Sequence, residues 1–317
     1  MRRIYAPLNY FKSNLPLLMA LVGSCMLGLS PIFVRLADVG SNAIGCYRMV
    51  FALPLVWLWM QMENRTNPPE QQSISKTEFL VLAAAGVFFA LDIATWHLSI
   101  QMTSIINSAI FNNLTPIFVP ILIWVLYKAR PSPIYLVSAT AAIIGSIVMS
   151  GSTLSLDADN LAGDLLAIFS AVAYTGYIVL VKSLRHKLNA PTIIFYASFT
   201  NILLLGIFAV LSGEVLWPSS WQGWAGIIGL AVLVQIFGQG LLAYSMGKLS
   251  AAFVSVTMLL GPVVSAFLGW IIFGEAIGIF QTLGCTIVLS SIVTASIDER
   301  RSQKQPSIVR VKTGEKS

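Results

Sequence analysis

Four residues in one apolar run pose the chemical question. Asp92, Trp96, Ser99 and Thr103 stand at i, i+4, i+7 and i+11 in a stretch that is otherwise almost wholly hydrophobic. Helical periodicity puts that spacing on one face, so a carboxylate, an indole and two hydroxyls share a stripe. Such a stripe can contact a polar solute, carry a proton on Asp92, or anchor an ion pair between helices. Arg48 is the candidate partner. At 1.5 Å per residue it lies roughly 9 Å from the end of its own apolar run, and Asp92 roughly 13 Å from the same-side end of its run. The two share a depth, so proton coupling and a structural pair are both open.

Other polar stripes join them. Ser108, Asn112 and Thr115 line one side of a later run, with Asn113 beside them; Ser170, Tyr174 and Tyr177 form another, and Gln235 and Gln239 a third. Polar side chains in an apolar helix either face a cavity or bond between helices. The candidate substrate-contact set is therefore Asp92, Trp96, Asn112, Asn113, Tyr174, Tyr177, Gln235 and Gln239, with Asp92 and Arg48 as the coupling or ion-pair candidates. Pro116 and Pro262 are candidate helix kinks. His97 is one residue off the polar stripe and reads as structural.

Catalytic and cofactor chemistry find little support. The chain has two histidines, neither in an HExxH pattern, and Cys25, Cys46 and Cys285 have no CxxC spacing, so no metal and no cofactor is expected. Neither a G-x-S-x-G elbow nor a GxxxxGK[ST] phosphate loop occurs. A membrane transferase using a lone Asp, or a non-transporting scaffold, stands as the alternative from another class.

What must position these residues is a bilayer. The 317-residue chain is 56% hydrophobic and only 10% charged, with a mean hydropathy of +0.81, against about 25% charged in a soluble domain. Apolar runs near the ~20 residues needed to cross the membrane recur throughout. Ten spans are expected, at roughly 15–37, 42–62, 79–101, 104–126, 133–151, 161–181, 192–212, 222–246, 250–273 and 277–297. The first is longer than a signal core and reads as a membrane helix. Lys and Arg gather at the tails and alternate turns: Arg2, Arg3, Lys12, Arg65, Lys76, Lys128, Arg130, Lys182, Arg185, Lys187, Lys248 and the tail from Arg300. Acidic Asp38, Asp157, Asp159, Glu214 and Glu275 mark the opposite side, where Arg35 is the basic exception. The positive-inside rule then places both termini in the cytoplasm. The net charge of +6 reads as topology, with the bilayer rather than a nucleic acid as partner.

A shift of 146 residues aligns 99–127 with 245–273 without gaps, pairing Pro116 with Pro262 and Trp124 with Trp270. Each repeat would hold five spans. Five is odd, so the second repeat is inverted relative to the first. The expected architecture is all-α integral membrane, ten transmembrane helices in two inverted five-helix repeats. A cytoplasmic tail 1–14 precedes repeats 15–155 and 156–297, and a basic tail 298–317 follows. Inverted repeats suit alternating access around a midplane site.

The chain resembles the ten-helix members of the drug/metabolite transporter superfamily built from two EamA domains. The resemblance rests on Ser30-Pro31-Ile-Phe-Val-Arg35, Tyr47-Arg48, Asp92-x-x-x-Trp96, Leu114-Thr-Pro116, and Gly274-Glu275 followed by Gln281-x-x-Gly284. It implies an inner-membrane secondary transporter of a small metabolite, an amino acid or related compound or a drug, in the export direction. Import or exchange by a cofactor- or nucleoside-type carrier is the alternative. Protons are a candidate co-substrate, and monomer and homodimer are both open. The halves differ: Gly238 and Leu242 stand where Asp92 and Trp96 would repeat.

Overall fold

A backbone group in hydrocarbon finds no water to bond, so long apolar runs close their hydrogen bonds within themselves and become helices. The computed structural model describes residues 6–66, 74–151, 160–273 and 278–304, with helices and no strand among them. Asp157, Asp159, Gly274, Glu275 and the tail beyond Lys304 lie outside the described residues. In chain order the helices are α1 (Ala6–Leu27), α2 (Ser30–Leu36), α3 (Ser41–Thr66), α4 (Lys76–Met102), α5 (Ile105–Asn112), α6 (Thr115–Tyr127), α7 (Pro133–Met149), α8 (Leu161–Leu184) and α9 (Ala190–Leu211). There follow α10 (Trp221–Gly229), a π-helical stretch (Leu230–Gly240), α11 (Leu241–Ser245), α12 (Ala251–Thr257), α13 (Leu260–Phe273) and α14 (Ile279–Lys304).

Among the described residues nine helical stretches are long and apolar enough to cross a membrane. The fifth expected span is a shorter apolar helix, Pro133–Met149, of 17 residues; it reaches about 26 Å, just short of a ~30 Å core. The chain is a multi-pass membrane protein.

Three expected spans are not single helices. The first breaks at Gly28–Leu29, the fourth at Asn113–Leu114 and the ninth at Met258–Leu259. At each break the backbone tightens to i→i+3 bonds: Leu29 N–H to Met26 O at 3.1 Å, Leu114 N–H to Phe111 O at 3.2 Å, and Gly261 N–H to Met258 O at 2.9 Å. A proline follows each time, Pro31, Pro116 and Pro262, inside the first turn of the new helix. Proline has no N–H to leave unsatisfied there.

Packing brings the breaks together. α4 lies along α8 and α9, α3 along α9, α7 along α14, and α1 along the π stretch. A Cβ on Gly28 would come within 2.7 Å of Gly261 O and 2.8 Å of Val264 Cβ, so the first and ninth spans cross backbone to backbone at their breaks. Ser265 Oγ donates to Gly28 O at 2.7 Å, and Ser24 Oγ to Thr257 Oγ1 at 3.1 Å. Tyr135 of α7 donates its hydroxyl to Pro116 O at 2.8 Å, with Ala252 O of α12 at 3.0 Å as its second acceptor. This oxygen ties the fourth-span break to the ninth span.

The ends are fastened by charge. Glu214, in the turn after α9, caps α3 from far along the chain: Asn42 N–H donates to its Oε1 at 3.2 Å and Ala43 N–H to its Oε2 at 2.9 Å. A carboxylate is favourable at a helix N-terminus, where N–H groups lack partners. At the opposite end Lys182 Nζ donates to Met246 O and Leu249 O at 2.7 and 2.9 Å, binding α8 to the turn before α12.

Candidate functional site

The helix breaks border a cavity of about 150 Å³, and polar side chains from several helical elements line it. Leu27 and Ser30 flank the first break, Asn112 the second, and Met258 the third; all four line the space. α3 contributes Arg48, α4 contributes Asp92, Trp96 and His97, and α8 contributes Tyr174. No group of three or more His, Cys, Asp or Glu residues among the described residues could hold a metal ion.

Asp92 is held by neutral donors. Ser170 Oγ donates to its Oδ1 at 2.6 Å, and Asn112 Nδ2 to the same oxygen at 3.4 Å. Asn112 Nδ2 also donates to Ser170 Oγ at 2.6 Å, closing a triangle of α4, α5 and α8. Both bonds end on Oδ1, so Oδ2 keeps its acceptor capacity in a cavity wall.

Arg48 is held from another side. Its Nε donates to Gln235 Oε1 at 2.9 Å, and Cζ sits 5.7 Å from the centroid of the Phe89 ring, within cation–π range. Asp92 and Arg48 line one cavity, yet no ion pair within 4.0 Å joins them. Where the sequence offered a direct pair, Gln235 engages the guanidinium while Ser170 and Asn112 engage the carboxylate.

Three buried polar atoms in this wall have no hydrogen-bond partner: Arg48 Nη2, Trp96 Nε1 and His97 Nδ1. Buried polar groups are nearly always bonded, so such exceptions call for an explanation. The indole and imidazole are neighbours, with ring centroids 5.3 Å apart.

The remaining candidates divide. Gln239 Nε2 donates to the Tyr174 hydroxyl at 2.9 Å, and both residues line the cavity. The π-helical turn, with its i→i+5 bonds, lets Gln235 reach Arg48 and Gln239 reach Tyr174. Tyr177 stands behind the wall, stacked on Phe89 at 4.6 Å and on Tyr174 at 5.7 Å. Asn113 points elsewhere: its Nδ2 donates to Ser146 Oγ of α7 at 3.3 Å, because the turn at the break re-phases the helix. Ser99 bonds Ser108 of α5, and Thr103 Oγ1 donates to Asp164 Oδ1 at 2.7 Å. That end of the α4 stripe therefore joins helices. Pro116 and Pro262 lie just past the breaks and not within continuous kinked helices.

Sequence periodicity did not pick out His97, since a single residue step moves 100° around a helix. It is only 8% exposed, and its neighbour Trp96 was the available signal. Phe89, the platform beneath Arg48 and Tyr177, looked like ordinary core.

Comparison with known proteins bears on this arrangement. The model of the EamA-like transporter family matches twice, over residues 14–151 and 161–297. An "uncharacterized transporter" of Archaeoglobus fulgidus is 23% identical over 82% of this chain and 90% of its own length. The pseudopaline exporter CntI of Pseudomonas aeruginosa is 24% identical over 82% of this chain and 87% of its own. The GDP-mannose transporter GONST5 of Arabidopsis thaliana is 24% identical, covering 69% and 66%. One solved crystal structure superposes with a TM-score of 0.73 at 13% identity, over 90% of this chain and 97% of that one, a likeness of fold.

Proposed function

The chain belongs to the EamA-like transporter family, and from that premise we propose that it is a secondary carrier moving a small metabolite out of the cell across the inner membrane. Ten helices form two inverted five-helix repeats, 15–155 and 156–297, with both termini cytoplasmic. The repeats rock around the central cavity and expose it to either side in turn.

One observation carries this reading: a cavity with Asp92, Arg48, Trp96, Asn112, Tyr174 and Gln239 in its lining lies where three discontinuous helices meet. Broken helices at a midplane site are what carriers of this kind use to bind solute and to bend. The supporting set is Asp92, Trp96, Asn112, Tyr174 and Gln239 in the wall, with Arg48 held by Gln235 and with Tyr177 behind. Asp92 is the coupling group. Its free Oδ2 takes a proton or the substrate in alternation, so an inward proton gradient drives the solute outward. Arg48, His97, Tyr174 and Tyr177 are the charged and titratable groups around it; Ser170 and Asn112 touch it directly.

The test is purification, a thermal-shift screen against a metabolite library, and liposome flux of each hit. A carrier moves the hit unchanged. A chemically altered product would replace this reading with an enzymatic one, and flux favouring the opposite direction under the same gradient would make the protein an importer.

A further inference from the structure

A cavity of about 760 Å³ lies between the end of α3 and the starts of α4 and α9, and it shares no lining residue with the central one. We propose that it binds an anionic phospholipid of the cytoplasmic leaflet, with the phosphate at the start of α9 and an acyl chain along α4. The side is the one where Arg65, Lys76 and Lys187 gather, cytoplasmic in the topology proposed above.

Thr192 is the residue that asks for a ligand. It is the third residue of α9, only 8% exposed, and it lines the cavity. Among the described residues neither its N–H nor its hydroxyl has a hydrogen-bond partner. The cause is local. Asn189, the N-cap of α9, makes no side-chain cap bond; its side chain is turned to Asn64, with Nδ2 donating to Oδ1 at 3.2 Å. The helix ladder begins with Ile193 N–H on Asn189 O at 3.2 Å, which leaves Thr192 out. The start of α4, by contrast, is closed by its own capping box of Ser75 and Glu78.

Further donors stand in the same wall. Asn64 Nδ2 has no acceptor, and the exposed Lys76 has no ion pair. No Asp or Glu among the described residues lines the cavity. Glu78 is engaged by Ser75 N–H at 2.9 Å and by Lys187 Nζ at 3.1 Å. A hydroxyl, amides, an ammonium and the positive end of a helix suit an anion with several acceptor oxygens, which a phosphodiester supplies. The rest of the wall is apolar: Met60, Phe79, Leu80, Leu188 and Tyr196. Phe79 and Leu80 are 56% and 67% exposed, within the span of α4. A free anion would use the donors and leave this wall idle, and a neutral lipid would leave Thr192 unpaired. An ethanolamine head group brings an ammonium for which the lining offers no carboxylate. A phosphatidylglycerol-type lipid fits both halves, as basic recesses between helices at a cytoplasmic face do elsewhere.

The test titrates delipidated full-length protein with phosphatidylglycerol in one detergent. Native mass spectrometry counts bound lipid, and thermal shift reads stability. Phosphatidylethanolamine, diacylglycerol and glycerol 3-phosphate are the matched probes, each expected to bind about tenfold more weakly or less. Thr192→Val keeps the shape, removes the hydroxyl and should weaken phosphatidylglycerol binding by about tenfold. Lys76→Gln should weaken it by about fivefold, while Lys128→Gln, which lies outside the cavity, should leave it unchanged. Should Thr192→Val fail to fold, the exposed Lys76 carries the test against Lys128. Equal binding of phosphatidylethanolamine, no tight lipid at all, or equal affinity in Lys76→Gln and Lys128→Gln overturns the proposal. Stabilisation by glycerol 3-phosphate matching that of the lipid makes this a soluble-anion site and overturns it too. So does lipid binding that appears only after residues 67–73 are replaced by a Gly-Ser linker. Solute flux is not among these readouts, so the lipid site stands or falls apart from the transport reading.

Discussion

At the scale of single residues, the site is built by giving each charge a neutral partner. Asp92 takes Ser170 and Asn112, Arg48 takes Gln235 and the face of Phe89. The polar stripe on α4 was legible from spacing, because one helix keeps its phase over three turns. Asn113 and His97 were not, for one reason. A side chain's direction depends on where its helix breaks or turns, and a one-residue error moves it to another neighbour. If Asp92 alternates between a proton and the solute, Asp92→Asn abolishes accumulation driven by a pH gradient, by about tenfold or more. The Asn side chain has nearly the same shape but neither the charge nor the titration. Proteoliposomes with an imposed pH gradient measure this, and full gradient-driven flux in the variant would remove Asp92 as the coupling group.

The elements owe their arrangement to small residues and to breaks. Without a hydrophobic driving force between helices in lipid, close backbone approach supplies much of the contact. Gly86 on α4 meets α9 at its backbone: an added Cβ would press on Ala197 O and lie 2.9 Å from Thr200 Cβ. Gly206 on α9 has room, with Cys46 Sγ at 3.6 Å the nearest atom to an added Cβ. Gly86→Ala should therefore lose about 1–3 kcal/mol through overpacking. Gly206→Ala should hold or gain up to about 1 kcal/mol, since it only stiffens a helix. Thermal unfolding in one detergent compares them, and equal melting temperatures would show that the α4–α9 crossing is not close-packed. Spans were legible here because hydropathy reports length. The breaks were half legible. Pro116 and Pro262 marked two of them, whereas Pro31 sat in a run read as one helix from 15 to 37, since a proline in an apolar run can kink a helix or start one.

For the molecule as a whole, the family match in two parts, 14–151 and 161–297, fits the proposal of halves inserted in opposite senses. In a cysteine-free background, Ala129→Cys after α6 and Gly278→Cys before α14 sit at positions that a 146-residue shift places near one another. Both are exposed. An impermeant maleimide should reach Gly278→Cys in spheroplasts and Ala129→Cys only in inverted vesicles; labelling of both from one side would discard the inversion. The alternation of charge is what suggests this orientation, whereas the contacts between the two matched parts were not legible, because they join residues far apart in sequence. The cap on α3 shows what that implies for biogenesis. Asn42 binds Glu214 across 172 residues, an interval of roughly 10–30 s at the pace of synthesis. Until the turn after α9 has been made, the first amides of α3 are without this carboxylate.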